Sequence, residues 1–517
     1  MLRASALSLL CVLGTLTAAG CGESGAGGEG DPGSLVPAGA ALYVEAAVQP
    51  EGQLRDDALA AAGKLLRTDD PAAKIRELID KELAADGLSW ERDFAPWVGE
   101  DAGVWASDLG RAEPSFALIA ATTDAEAAKA ALAKFEKTSD SGPYTARSYD
   151  GIDYKVDSEG VANGVIDEFV VVATEGAFKR TADTRDGDKL VDADRYKDAV
   201  DELEDERLGH LYLDGKSLLD VMSQDDPDAA RQLEQFDSLF QFEKLGPMAM
   251  SFEADGDGLV FDGVMTGLPE GPLRELAALT GFGGAELLGE LPGDAWGAYA
   301  LPRVGESAQS LFNAFAGPLG GAAAAAQVKQ ATGLDLQQDI FSWIGDVGLF
   351  VRGTDMASLD GAVVIEATDD DKVSAAFGKL VALIGKESGV APQPVKIDGA
   401  ASAFAIDAPG AEKRIILARG EGRVVGAYGE EAAAAALSPD AKLSDSDTFG
   451  SAEEILGDVD AAFLLSVPDA IGLAESTGAT DADFDKVRPY LEALGVVAGG
   501  GEADDDRVRS RFGVTLK

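Results

Sequence analysis

The chain has 517 residues, 46% hydrophobic and 26% charged, and its 92 acidic residues against 43 Lys and Arg give a formal charge of −49. That surplus argues against nucleic acid and anionic lipid headgroups as partners, and it predicts a solvated surface in place of a specific cation-binding one. The length allows two to four domains at about 100–200 residues each, and chemistry must be built with one histidine and two cysteines.

Residues 1–20 read as a targeting segment. Arg3 is a minimal charged start, and Ala4 to Leu16 is an apolar run too short for a stable span. Leu16-Thr-Ala-Ala-Gly-Cys21 follows. Small residues before a cysteine resemble the lipobox of bacterial lipoproteins, in which the cysteine is acylated and becomes the first mature residue. Ala18 stands where that family most often has Leu. A plain secretory peptide cut near Ala19 is the alternative. Cys11 would leave with the leader and Cys21 would carry lipid, so no disulfide, thiol nucleophile or thiolate metal site is expected. Residues 21–34 read as a flexible Gly-rich tether. They spell Gly28-x-Gly30-x-x-Gly33, but neither a strand before nor a helix after supports a dinucleotide loop.

Residues 35–270 are expected to form a first α+β copy. Ala41–Ala47 reads as a strand, and a helical pattern covers Asp57 to Arg67. Asp70-Pro71 opens the next helix, with Asp as cap and Pro at the first position. Ile75, Leu78, Ile79 and Leu83 form its apolar stripe, and Gly87 ends it. Strands are predicted around Gly103–Ala106 and Phe116–Ala121. Thr123-Asp-Ala-Glu126 reads as a capping box before a helix that buries Ala128, Ala131, Leu132 and Phe135. Hairpin-like strands run from Tyr144 to Thr174. Met248, Met250 and Phe252 alternate with smaller or polar residues, and Asp255-Gly-Asp-Gly258 turns the chain back.

The pattern then recurs. Asp93, Trp97 and Gly99 match Asp339, Trp343 and Gly345 at one offset of 246 residues. Lys189-Leu-Val-Asp-Ala-Asp194 returns as Lys442-Leu-Ser-Asp-Ser-Asp447, and Thr123-Asp as Thr368-Asp. Pro292-Gly-Asp-Ala295 restarts what Pro37-Ala-Gly-Ala40 began. These collinear matches predict one architecture written twice, with residues 271–290 as connector and 291–517 as the second copy. Each copy is expected to be a largely antiparallel sheet packed with helices. Trp97, Gly99, Trp343 and Gly345 are its structural anchors.

The chemistry on offer is sparse. His210 is alone, and no Gly-x-Ser-x-Gly elbow accompanies it, so it is expected to fill an aromatic-sized strand position like Phe463. Gly420-Glu-Gly-Arg-Val-Val-Gly426 has the wrong spacing for a phosphate loop and reads as a hairpin turn. Glu253-x-Asp255-x-Asp257-Gly258 starts like a calcium loop but ends on Val264. Asp481-x-Asp483-x-Asp485 reaches Glu492 but has Lys486 for the needed Gly and Pro489 inside. Paired carboxylates are certain among so many acids, which is why no pair stands out. No catalytic residue, cofactor or metal ligand is assigned.

Leu35-Val-Pro-Ala-Gly-Ala-Ala-Leu-Tyr-Val-Glu45, the Trp-Val/Ile-Gly-Glu/Asp signature, the lipobox and the tether together resemble the bacterial envelope family DUF3352. The resemblance covers nearly everything after the tether. It implies location and architecture, and transfers no catalytic residue. The expected protein is anchored outside the cytoplasm through Cys21 and acts by binding or scaffolding with an envelope protein or small molecule. A ligand or lipid carrier, or a transporter-associated binding protein, using a cleft between the copies is the alternative, and a carboxylate-dependent hydrolase the least favoured.

Overall fold

The computed structural model describes residues 30–517, apart from 85–86, 110–113, 139–141, 218–240, 242–243, 273, 275, 278–285, 317–320, 479, 481 and 505. Cys21, the leader and most of the tether lie outside the described residues. The fold is α+β, in two compact units, residues 1–267 and 268–517.

The first unit contributes strands β1 (Leu42–Ala47), β2 (Val98–Ser107), β3 (Ser115–Thr122), β4 (Thr145–Tyr149), β5 (Ile152–Val156), β6 (Val161–Ile166), β7 (Phe169–Thr174), β8 (Gly209–Leu213), β9 (Met248–Ala254) and β10 (Gly258–Thr266). Every pairing is antiparallel, in the order β4-β5-β6-β7-β3-β2-β1-β8-β9-β10. Both faces of its central strands are covered. Tyr43, Trp105, Ile119, Val171 and Phe178 form a core on one side. Ile75, Ile79, Trp90, Trp97, Ala120 and Val170 form a core on the other. Double burial explains why Phe169-Val-Val-Val is continuously apolar where a one-sided strand would alternate.

The second unit contributes β11 (Gly297–Leu301), β12 (Ile344–Arg352), β13 (Asp360–Ala367), β14 (Gln393–Val395), β15 (Ser402–Ile406), β16 (Ile415–Arg419), β17 (Arg423–Tyr428), β18 (Ala461–Ser466), β19 (Leu494–Ala503) and β20 (Arg507–Leu516). Their order is β14-β15-β16-β17-β13-β12-β11-β18-β19-β20, again all antiparallel. Strand for strand, this is the order of the first unit. The Gly420 loop is the β16–β17 hairpin turn, with Gly422 at positive φ.

Several local expectations need correction. The tether ends early: Asp31 accepts from the Gly33 N–H at 2.7 Å and caps a 3-10 turn, Pro32–Leu35, whose Pro32, Gly33 and Leu35 are buried. Asp-Pro-Gly-Ser is turn chemistry and not linker chemistry. The expected connector, residues 271–290, contains a helix, Glu286–Gly289, that puts Leu287 and Leu288 in the core. Asp70 caps its helix as read, accepting from the Ala73 N–H at 2.9 Å, but Leu78 is 43% exposed. The helix shows a narrower stripe than its sequence offers. The caps at Thr123 and Thr368 belong one residue later. Asp124 accepts from the Glu126 and Ala127 N–H groups, and Asp369 from that of Lys372. In β9 the small residues Ala249 and Ser251 face in, while Met250 is 45% exposed, because the Asp194–Val200 helix packs close against that face.

Candidate functional site

The repeated anchors form one local design in each unit. Trp97 Nε1 donates to the carbonyl of Asp93 at 2.6 Å, and Trp343 Nε1 donates to that of Asp339 at 2.7 Å. Each aspartate turns its carboxylate back onto the N–H four residues earlier, Ser89 at 2.9 Å and Asp335 at 2.8 Å. Each is met by a lysine from the following long helix, Lys134 or Lys379. The carbonyls of Trp97 and Trp343 accept from Thr123 and Thr368 N–H at 2.8 Å each. Burial works to raise the Asp93 pKa, but hydrogen bonds from Arg92, Lys134 and the Ser89 N–H outweigh it and hold it at about 2. A Cβ at Gly99 would lie 2.9 Å from Ala121 Cβ, and one at Gly345 would lie 3.2 Å from Thr368 Cγ2. The glycines let the Trp strand close against its neighbour.

Trp97 also lines a cavity of about 50 Å³ between the Ala125–Thr138 helix and β6–β7. Its walls are apolar, from Leu88, Phe94, Leu132, Phe135, Val170 and Val172 among others, and Asn163 reaches it from β6. The second unit holds a larger, polar basin of about 600 Å³. There Arg352 forks onto Asp360, Nε to Oδ1 at 2.9 Å and Nη2 to Oδ2 at 3.0 Å. Arg414 pairs with Glu430, and Lys413 donates to the Ser358 carbonyl at 3.1 Å. The charges lining this basin are largely spent on one another.

His210 is a core residue, as its sequence context suggested, but Phe463 is not its counterpart: His210 lies opposite Glu45, the partner of Gly103, whereas Phe463 lies opposite Tyr299, the partner of Leu349 and not of Gly348. Burial drives its pKa down to about 3, so its ring is neutral. Its Nε2 hydrogen-bonds with the Tyr196 hydroxyl at 2.6 Å. Sequence reasoning missed what surrounds it. Glu45 lies opposite His210 across β1–β8, and Asp101 opposite Ala47 across β1–β2. Burial raises Glu45 to about 7 and Asp101 to about 6, and raises Asp31 as well. Tyr43 donates its hydroxyl to Glu45, so this carboxyl is engaged within the fold. The one readable signal was Glu45 itself, a charge inside an apolar strand.

In the calcium-like stretches Asp255, Asp257 and Asp483 have partners within the fold. Asp255 Oδ1 accepts from the Asp257 N–H at 3.0 Å and caps the β9–β10 turn, and Asp257 pairs with Lys64. Asp483 pairs with Lys486 inside a helix, Ala482–Leu491, and Asp481 is outside the described residues. Among the described residues no three His, Cys, Asp or Glu side chains are grouped to hold a metal. Among them, too, no helix is long and apolar enough to cross a membrane.

These features define a class: an α+β protein of antiparallel sheet and packed helices, with a like Trp–Asp–Lys arrangement in each unit. The chain belongs to the DUF3352 family, described as a protein of unknown function, whose model matches residues 4–468. No curated protein matches the chain. Among solved structures it is similar to TP0453 in crystal form IV, at 13% identity and a TM-score of 0.26, over 49% of this chain and 85% of that one. TP0453 in crystal form III matches at the same identity and score, over 48% and 86%.

Proposed function

We propose that this is a lipid-anchored extracytoplasmic protein that acts by binding or scaffolding in the bacterial envelope, and that its two units are copies of one ancestral unit. The observation that carries the reading is the shared ten-strand order, with the same Trp–Asp–Lys anchor in each unit. A duplicated scaffold with architectural repeats, whose prominent buried ionisable groups are spent on structure, suits presentation of surface better than turnover. The leader ending in Gly20-Cys21 supplies the anchor, and two or more acyl chains on Cys21 would hold it stably where one binds only marginally. A ligand carrier is the second reading, favoured by the basin of the second unit, which has the size of a small-molecule site. A carboxylate-dependent hydrolase is least favoured, because the half-buried acid Glu45 is occupied by Tyr43.

The test is fractionation of the full chain expressed in a bacterial envelope, beside Cys21→Ser. Wild type in the membrane fraction and the variant released would support the anchor. A variant that stays membrane-bound would overturn it. Crosslinking of the anchored wild type should then capture an envelope protein, whereas native mass spectrometry showing a retained small molecule would favour the carrier.

A further inference from the structure

The two units fill one set of strand positions in opposite ways. In the first, Tyr43, Glu45 and His210 share a face of β1–β8, with Gly103 of β2 opposite Glu45. In the second, Ala298 and Ala300 stand for Tyr43 and Glu45, because they lie opposite Phe350 and Gly348 as Tyr43 and Glu45 lie opposite Trp105 and Gly103. Ala462, one step along from the Tyr299–Phe463 pair, stands for His210. All three alanines are buried, and Leu287 and Leu291 close over Gly348. An apolar seat under an apolar cover therefore satisfies this architecture. The ionisable seat of the first unit is an addition that burial penalises.

Its cover is the turn that follows Asp31, with Pro32 and Gly33 buried. A Cβ on Gly103 would lie 2.8 Å from the Tyr43 ring and 3.2 Å from Pro32 Cβ, so the turn rests beside the Glu45–Gly103 pair. A Cβ on Gly33 would lie 3.0 Å from Asp31 Oδ1 and 3.4 Å from the Tyr43 hydroxyl, which donates to half-buried Glu45. Two carboxylates thus bracket one hydroxyl. Lys189 faces Asp31, while Asp101 of β2 and Arg207 ahead of β8 face Glu45. Glu100 faces Asp101, Asp201 faces Tyr196, and Tyr196 from the Asp194–Val200 helix bonds His210. We infer that the Asp31–Ser34 turn is a pH-sensitive strap, seated while Glu45 is protonated and released when Glu45 and Asp31 are both charged. Release takes away the Asp31 charge and part of the burial, so Glu45 ionises more readily with the strap off. With the strap on, Glu45 stands at about 7, above its ordinary value. Seating is therefore fully favoured below the ordinary Glu range and is lost as pH rises through 7. His210, at about 3, stays neutral through that window and adds no compensating charge. Release stops at Val36, which is buried and whose carbonyl accepts from the Leu190 N–H at 2.8 Å. The freed Asp31-Pro-Gly-Ser34 adds about 13 Å of reach to the segment before it, at about 3.3 Å per residue. The inference goes beyond the anchored-scaffold reading and stands on the first unit alone, so it holds with or without the lipid.

Hydrogen exchange followed by mass spectrometry tests it, on the full chain with Cys21→Ser, at pH 5, 6, 7 and 8. Rates are corrected for the intrinsic effect of pH on amide exchange. Protection of residues 31–36 should fall at least tenfold from pH 5 to pH 8, while β7 keeps its protection. Glu45→Gln should hold the strap protected at both ends of the range. Asp31→Asn keeps an acceptor for the Gly33 N–H, and should cut the pH response at least threefold. Strap protection that is flat with pH in wild type would overturn the inference. So would a fall of equal size in Glu45→Gln, or one that β7 shares.

Discussion

Glu45 faces His210 across the β1–β8 pair, and burial moves both toward their neutral forms. The two therefore pull stability in opposite directions with pH. Glu45 has a folded pKa near 7, raised above its ordinary value by burial and by the charge of Asp31. Its contribution is fully present below the ordinary Glu range and is lost as pH rises through 7. Asp101 adds to this up to about 6. His210 is depressed to about 3, so its contribution holds above the ordinary His value and is lost as pH falls toward 3. Glu45→Gln keeps an acceptor for Tyr43 and should stabilise the first unit by about 1–3 kcal/mol at pH 8, with little effect at pH 4.5. Chemical denaturation of wild type and variant across pH 4–9 checks this, and equal gains at both ends would refute the assignment.

The two anchor glycines should not be equivalent. A methyl at Gly99 meets the Cβ and the backbone carbonyl of Ala121 at 2.9–3.2 Å, neither of which can swing aside. At Gly345 the nearest atom is the Thr368 methyl at 3.2 Å, with the Glu366 side chain next. Gly99→Ala should cost about 1–3 kcal/mol, the usual penalty of overpacking, and Gly345→Ala under about 1. Denaturant midpoints of the two variants, compared at one pH, settle the ranking.

Asp93 is the charge that the first Trp turn depends on. Its folded pKa near 2 is below its ordinary value, so its contribution is present above about pH 4 and lost as pH falls through 2. Asp93→Asn keeps the shape but gives up two cation partners, and should cost about 2 kcal/mol at pH 7. The loss should shrink as pH falls from 4 to 2, since wild type then loses the same charge. A cost that is flat across that range would show that the carboxylate's shape, and not its charge, is what matters.

Much of the architecture was legible, and the reason is physical. Trp97 and Trp343 need an acceptor for a buried indole N–H, and the turn that supplies it also requires the nearby Asp and Gly, so these residues recur together. Leu190 and Leu443 follow the same logic. Each is fully buried in a 3-10 turn whose preceding lysine bridges to Pro37 or Pro292, which made Lys-Leu-x-Asp recognisable in both halves. Faces were less legible. Met248, Met250 and Phe252 read as the inward set by hydrophobicity, yet the close helix over β9 admits only Ala249 and Ser251. The candidate sites were least legible. Glu45 and His210 come opposite one another only through strand register, and Asn163 joins the lining of a cavity only once the Ala125–Thr138 helix packs over β6.

Arg352 and Asp360 offer the most direct test of the second unit. Their side chains are 14% and 4% exposed and joined by a bidentate fork, with Asp294 and Lys413 at the edges. Such a pair gains little over apolar replacements but is expensive to break, because the survivor loses its fork and keeps only an edge partner, Asp294 for Arg352 or Lys413 for Asp360. Asp360→Leu alone should therefore cost about 3–5 kcal/mol, and Arg352→Met alone a similar amount. The double variant should recover most of the loss, a coupling of at least about 2 kcal/mol in a double-mutant cycle. Both residues line the 600 Å³ basin, so the double variant also leaves that basin less polar. Additive single costs would mean that the two charges are separately solvated and the fork contributes nothing to the fold.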